Sequence, residues 1–332
     1  PQAATCYAGE SVRFSVAAAG PAPLAYQWFK DGASMADATN NVFGLSDASD
    51  ADAGEYTVVV SNAGGSVTSA PAALVVLPVE QITTALAGYW PFDETYGLGT
   101  ADASGNGNDG QLNNFVDDGS EWVAGQVNGA LNFRGPEGLD YVMIPNYPKP
   151  ATTMTMAVWL WADARPTWDS IAKNWSGSGN QFHFGLNDAD GDLSNYLTQQ
   201  NGASVGPVRE GANSPFPLGS WQHVAFVCDG AQMRLYRNGA LVGSVPYDGT
   251  INTNLASETM GIGAKLLNTG VPPTTADSGY WQGKMDDFGL WTRGLTPDEI
   301  LAIYAAGRNG QPPTAATVGA AAPAINAAPQ GQ

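Results

Sequence analysis

A chain of 332 residues is long enough for two domains that each bury a core. Its 31 acidic against 13 basic residues give a net charge of −18, which argues against nucleic acid or an anionic membrane surface as partner, since both are held through basic surface. Cys6 and Cys228 with His183 and His223 are too few for a structural zinc cluster, and no apolar run reaches the roughly 18 residues of a membrane span.

The acidic surface suits cations, although a lysine-poor surface also serves solubility outside the cell. No charged leader with an apolar core opens the chain, and Ala4 to Tyr7 already reads as an entering strand, so the sequence is expected to be a piece of a longer secreted protein.

Residues 1–78 alternate apolar and polar positions in short stretches broken by Gly, Pro, Asn and Asp, the pattern of an all-β sandwich. The specific pieces are Gly9-Glu10-Ser11-Val12, Tyr26-Gln27-Trp28-Phe29-Lys30-Asp31-Gly32, and Asp52-Ala53-Gly54-Glu55-Tyr56-Thr57-Val58. They resemble an immunoglobulin I-set-like domain. The resemblance implies that Trp28 is the core tryptophan, that Tyr56 makes the tyrosine corner, and that Val16 and Val58 stand where the family's disulfide is usual. A linker is expected over 79–85.

A different grammar begins at Leu86 and is expected to run to residue 310. It comprises Gly88-Tyr89-Trp90-Pro91-Phe92-Asp93-Glu94, the loop Asp102 to Gly110, Gly129-Ala130-Leu131-Asn132-Phe133, Trp221-Gln222-His223-Val224, and Gly283-Lys284-Met285-Asp286-Asp287-Phe288. Asn238-Gly239 between two apolar runs predicts a type I′ hairpin turn. Thr296-Pro297-Asp298-Glu299 is a capping box. It starts one short helix with Ile300, Ile303 and Tyr304 on its apolar stripe and Gly307 as its stop. After it, the Ala/Pro/Gln-rich residues 311–332 read as a tail or linker. In order and spacing these pieces resemble the laminin-G-like, concanavalin A-like and pentraxin-like jelly rolls. The expected fold is therefore all-β throughout: an immunoglobulin-like sandwich, then a concanavalin A-like jelly roll with one C-terminal helix.

Glycosidases of that fold carry paired carboxylates on one strand, about 5–5.5 Å apart in retaining enzymes. No Glu-x-Asp-x-x-Glu run occurs, and Glu94, Glu121, Glu137, Glu210 and Glu258 stand alone, so no catalysis is expected. The resemblance implies instead a structural Ca²⁺ shared by an N-terminal loop and the last strand, carried here by Asp102, Asn106 and Asp109 with Asp286 or Asp287. Turn chemistry alone is the competing account of the loop. A second acidic run, Asn187 to Asp192, reads as a hairpin tip rather than an ion loop.

Sugar rings stack on aromatic side chains flanked by polar groups, and Trp168, Trp175, Tyr196, Arg209 and Trp281 lie in irregular segments that would supply them. The function expected is an extracellular or cell-surface carbohydrate-binding and adhesion module whose partner is a polysaccharide or glycoconjugate. The alternative is a structural subunit of a surface layer, filament or matrix that meets other surface-protein subunits.

Overall fold

The computed structural model describes residues 1–77, 81–166, 168–174, 180–187, 191–211, 214–256, 258–267, 272 and 279–318. The chain divides into two units, Pro1–Gln81 with Thr317–Gln332, and Ile82–Ala316.

In the first unit, strands Ala25–Lys30, Gly54–Asn62 and Ala72–Leu77 lie side by side, with Ala4–Tyr7 parallel to the last of them. Val12–Ser15 pairs with Val42–Leu45 as a second layer. Trp28, Tyr56 and Val58 are fully buried between the layers, and Phe14 stacks on Tyr56 with ring centroids 4.9 Å apart. The Tyr56 hydroxyl donates to the Asp52 carbonyl at 2.8 Å, the tyrosine corner expected from the sequence. Val58 belongs to this core and Val16 packs against it, so apolar packing holds the layers where the family has its bridge.

In the second unit, one sheet runs Trp122–Ala124, Gly129–Arg134, Gln282–Trp291, Met154–Ala162, Trp221–Cys228, Gln232–Arg237, Ala240–Pro246, with Leu86–Trp90 also on Gln282–Trp291. The other runs Gly99–Thr100, Gly110–Asn113, Tyr141–Ile144, Met260–Ile262, Ser170–Asn174, Phe182–Leu186, Leu193–Thr198, Ser204–Arg209. Met154, Met156, Val158 and Leu160 from the first sheet meet Phe182, Phe184, Leu193 and Leu197 from the second in one apolar core.

Within the expected linker 79–85, Ile82 is buried and its carbonyl accepts the Trp291 indole N–H at 2.6 Å, while Thr83, Thr84 and Ala85 are exposed. Asn238 and Gly239 both have positive φ, as the type I′ turn requires.

The helix spans Pro297–Arg308, and the Thr296 hydroxyl accepts the Glu299 N–H at 3.3 Å while Glu299 returns a carboxylate to the Thr296 N–H at 2.8 Å. The expected stop at Gly307 is corrected. The helix continues to Arg308, and Gly307 is instead a point of contact, because a Cβ there would lie 2.2 Å from the Trp159 indole nitrogen. Tyr304 completes this seam against Trp159 and His223, with centroids at 5.7 and 6.2 Å. Pro313–Ala315, at the head of the expected tail, forms a short turn packed on the helix.

Candidate functional site

Strand Phe182–Leu186 turns Phe182, Phe184 and Leu186 into the core, so alternation directs His183 to the opposite face of its sheet. Pairing fixes what stands beside it. Lys173 is its partner on one side and Tyr196 its partner on the other, giving a cross-strand row Lys173, His183, Tyr196. The next row carries Ser170, Gly185, Ser194 and Arg209, brought into line by a register shift between Ser170 and Ala172.

Trp168 packs over these rows, 5.9 Å from His183 and 6.4 Å from Tyr196 between centroids. Its φ of 55° is a left-handed conformation that a tryptophan adopts only under constraint. The Trp168 carbonyl accepts from the Lys173 ammonium at 2.7 Å, which holds that turn in place.

Beneath the aromatic pair the chemistry is polar and enclosed. Asp169, Ser170, Lys173, His183 and Ser194 are all buried. Both Asp169 carboxylate oxygens, the Ser170 and Ser194 hydroxyls and His183 Nε2 have no hydrogen-bond partner. A buried polar atom left unpaired costs about 1–3 kcal/mol, so several in one place call for a ligand, water or ion. Burial raises the Asp169 carboxyl well above its ordinary range against the pull of Lys173. Burial likewise lowers Lys173 to about 7, with Asp169 opposing the shift and Lys265 adding to it. The His183 imidazole is held well below its ordinary value by burial and then by the charges of Lys173 and Lys265.

Of the aromatic and basic residues expected to bind sugar, Trp168, Tyr196 and Arg209 fall on this face. Arg209 is already engaged, its guanidinium gripping the buried Asp192 carboxylate through Nε at 2.8 Å and a second nitrogen at 2.9 Å. Trp281 is a correction. It has no exposed surface and lies in the core with Phe216 against it edge-on at 6.2 Å, because the segment entering the last strand turns it inward. Trp175 lies outside the described residues, as do Asp188 and Asp190 of the second acidic run. The strands flanking that run, Phe182–Leu186 and Leu193–Thr198, pair as a hairpin.

The expected calcium set is divided. The Asp102 carboxylate accepts three backbone N–H groups, from Tyr89 and Asn108 at 2.9 Å and Ser104 at 3.0 Å. Burial raises its pKa, but these hydrogen bonds outweigh that and leave it below the ordinary carboxylate range. Asp109 accepts the Asp102 N–H at 2.9 Å, and the Asn106 amide donates to the Leu86 carbonyl at 3.0 Å. The loop thus closes one edge of strand Leu86–Trp90 through hydrogen bonds. Asp286 and Asp287 lie on Gln282–Trp291, the strand paired to its other edge. Asp102, Asn106 and Asp109 are therefore not brought together with them.

Asp286 and Asp287 make a site of their own. Met285, Phe288 and Leu290 all enter the core, which strict alternation forbids. An irregularity opposite Ala157–Trp159 accommodates the extra residue, and the φ of 54° at Asp287 absorbs the bend. Both carboxylates therefore leave the core face together. One Asp286 oxygen accepts the Gln126 and Val127 N–H groups at 2.7 and 2.8 Å, and one Asp287 oxygen accepts the Tyr89 hydroxyl. The other oxygen of each is buried without a partner. Burial drives both pKa values up, with the Asp287 charge adding to the rise at Asp286 and the Asp93 charge to the rise at both. Asp93, held by the Gly129 N–H at 2.7 Å, is the neighbour the sequence reading missed. Among the described residues no three acidic, histidine or cysteine side chains converge as a ready metal cluster. A hard cation here would rest on the two orphan oxygens, completed by carbonyls and water.

Known proteins place the two units. Residues 136–301, half the chain, match the model of the concanavalin A-like lectin/glucanases superfamily, and residues 1–62 match an immunoglobulin domain. No curated protein is matched. Among solved structures, domain 4 of AbnA, an extracellular GH43 arabinanase from Geobacillus stearothermophilus solved with arabinotriose, is 17% identical, with 65% of this chain and 96% of that one covered and a TM-score of 0.50. The heptameric SAP-like pentraxin of Limulus polyphemus is 22% identical over 52% of this chain and 80% of its own, with a TM-score of 0.39. The tandem Ig repeats of Dlar are 19% identical over 24% and 45%, with a TM-score of 0.22. With an immunoglobulin domain ahead of it, the body of this chain belongs to the concanavalin A-like lectin/glucanase superfamily.

Proposed function

We propose that the chain is a non-catalytic carbohydrate-binding and adhesion module of an extracellular protein, taking a sugar ring against Trp168 and Tyr196. The observation that carries this reading is the row Lys173, His183, Tyr196 beneath Trp168, where ring faces lie beside the unpaired His183 Nε2 and the unpaired hydroxyls of Ser170 and Ser194. The fold shared with an arabinanase domain solved with arabinotriose supports the class of ligand. The absence of catalysis is supported by the described carboxylates here: Asp192 is clamped by Arg209 and Asp169 is fully enclosed. An extracellular setting is supported by the domain types, and no described helix is long and apolar enough to cross a membrane.

As part of the same proposal, Asp286 and Asp287 would hold a structural Ca²⁺ through their two unpaired oxygens, which neutralises charge that burial otherwise penalises. A glycan array probed with the whole chain, with and without calcium, tests the reading. Binding to one polysaccharide class is expected, lost in Trp168→Ala while the melting temperature is kept. An array on which wild type and Trp168→Ala score alike refutes it.

A further inference from the structure

The sheet that does not carry the Trp168 face has an aromatic strip on its own outer side. In strand Met154–Ala162, Met156, Val158, Leu160 and Ala162 enter the core, so Trp159 and Trp161 point outward. Leu131, Phe133 and Met285 likewise enter the core, which turns Asn132 and Lys284 outward. Pairing sets His223 beside Trp159. In the next row Trp161 stands between Lys284 and Trp221, with Asn132 beyond Lys284. Asn132, Lys284, Trp161 and Trp221 thus make one line across four strands, about 14 Å long at the usual strand spacing.

The chain covers the first of these rows and leaves the second open. The helix lays Tyr304 over Trp159 with centroids 5.7 Å apart, but all four residues of the second row are partly exposed. Trp161 is fixed in advance of any ligand: its indole N–H donates to Asp163 at 3.0 Å, and the Lys284 ammonium lies 4.8 Å from its ring centroid. Trp221 meets it edge-on at 6.0 Å. Among the described residues the Trp221 indole N–H and the Asn132 amide make no hydrogen bond. Indole rings flanked by ammonium, amide and N–H donors suit a sugar, whose ring stacks while its hydroxyls accept. An apolar protein segment laid here would instead strip water from those donors and leave them unpaired.

We propose that Asn132, Lys284, Trp161 and Trp221 form a second, weaker glycan-binding strip, and that one chain therefore holds two polysaccharide strands and cross-links them. This rests on the carbohydrate reading of the Trp168 face. The outer faces of the two packed sheets point in opposite directions, so one straight polymer segment cannot lie on both. The strip is flat and open where the Trp168 site is enclosed, so it holds a single glycan weakly and counts where many chains act together on a polymer.

Beads coated separately with linear arabinan, xylan, galactan or polygalacturonate are mixed with the full chain, and bound protein and bead aggregation are both measured. On the polymer that binds, wild type should coat the beads and aggregate them, and Trp168→Ala should do neither. Trp221→Ala should coat them within about twofold of wild type yet need at least about tenfold more protein to aggregate them. Asn132→Ala, a truncation outside the core, should need about threefold more. Either strip variant melting cooperatively and aggregating beads as wild type does, or a wild type that coats without aggregating, overturns the second strip and leaves the carbohydrate reading standing. A wild type that sediments as a dimer where Trp221→Ala is a monomer also overturns it, since the strip would then pair two copies. Failure of a cooperatively melting wild type to coat any bead overturns both readings.

Discussion

Removing one charge from the Asp286–Asp287 pair should raise stability in chelator, and calcium should take away most of that advantage. Two adjacent buried carboxylates, each with an unpaired oxygen, are held toward their protonated forms by burial, by the Asp287 charge at Asp286 and by the Asp93 charge at both. Raised folded-state pKa values mean that the folded chain keeps protons the unfolded chain has released. Without a cation, stability is therefore highest in mild acid and falls as pH rises toward about 8. An uncompensated buried charge is worth about 3–5 kcal/mol, and a unit the size of Ile82–Ala316 shifts its Tm by about 2–4 °C per kcal/mol. Asp286→Asn should thus melt roughly 6–20 °C above wild type in chelator at alkaline pH. Calcium at about a hundred times its Kd should add about 2.7 kcal/mol to wild type and offset much of its loss of stability at high pH, while leaving Asp286→Asn almost unmoved. Melting of the whole chain followed by circular dichroism at about pH 5 and about pH 8, in chelator and in calcium, gives all four comparisons. Equal calcium shifts in wild type and variant, or a chelated wild type that gains stability toward pH 8, would refute the reasoning.

Two further outcomes check the packing of the second unit. In an exposed helix Gly→Ala gains about 1 kcal/mol, but Gly307→Ala forces a methyl to within 2.2 Å of the Trp159 indole nitrogen and should instead cost about 1–3 kcal/mol in urea denaturation. A stabilised variant would show that the helix does not press on Trp159. His223 is buried, with Nδ1 unpaired, and burial pulls it down to about 3. Because its folded pKa lies below the unfolded value, the stability tied to the neutral ring is complete above about pH 6.5 and is lost as pH falls toward about 3, a cost of up to about 5 kcal/mol. His223→Phe should lose less stability than wild type between about pH 7 and about pH 4; identical acid slopes would assign the effect elsewhere.

Local chemistry was readable from the sequence. The Tyr56 corner, the Thr296 capping box and the Asn238-Gly239 turn each depend on residues a few positions apart, and each is found where the pattern predicts it. Contacts set by strand pairing were not. Trp281 and Trp168 both stand in irregular sequence, yet one is swallowed by the core and the other stands over a polar row, a choice made by which strands arrive on either side. Asp102 illustrates a different limit: an Asp/Asn/Gly loop that binds an ion and one that binds its own backbone have the same composition, and only the three N–H groups on its carboxylate separate them. His183 had a usable signal, since Phe182 and Phe184 entering the core oblige it to face outward. Its partner Lys173 had none, because that neighbour comes from another strand.

Both candidate sites sit where a regular sheet breaks its own alternation. At Met285-Asp286-Asp287-Phe288 two polar residues separate two core residues, so a strand in register would have buried one aspartate among apolar side chains; the bulge moves both to the same side. At Ser170–Ala172 a second register shift brings Ser170 into the outward row, next to a tryptophan held at positive φ. Strained or irregular backbone persists only where surrounding structure over-determines it, and in each place it gathers polar atoms that the protein leaves without partners. That coincidence distinguishes these two places from the many satisfied turns of the same fold. It also ties their chemistry to the sheets: deleting Asp287 would restore regular alternation, with Met285 and Phe288 inward and Asp286 alone outward, so the second unit should still melt cooperatively while the carboxylate pair and its calcium response are lost.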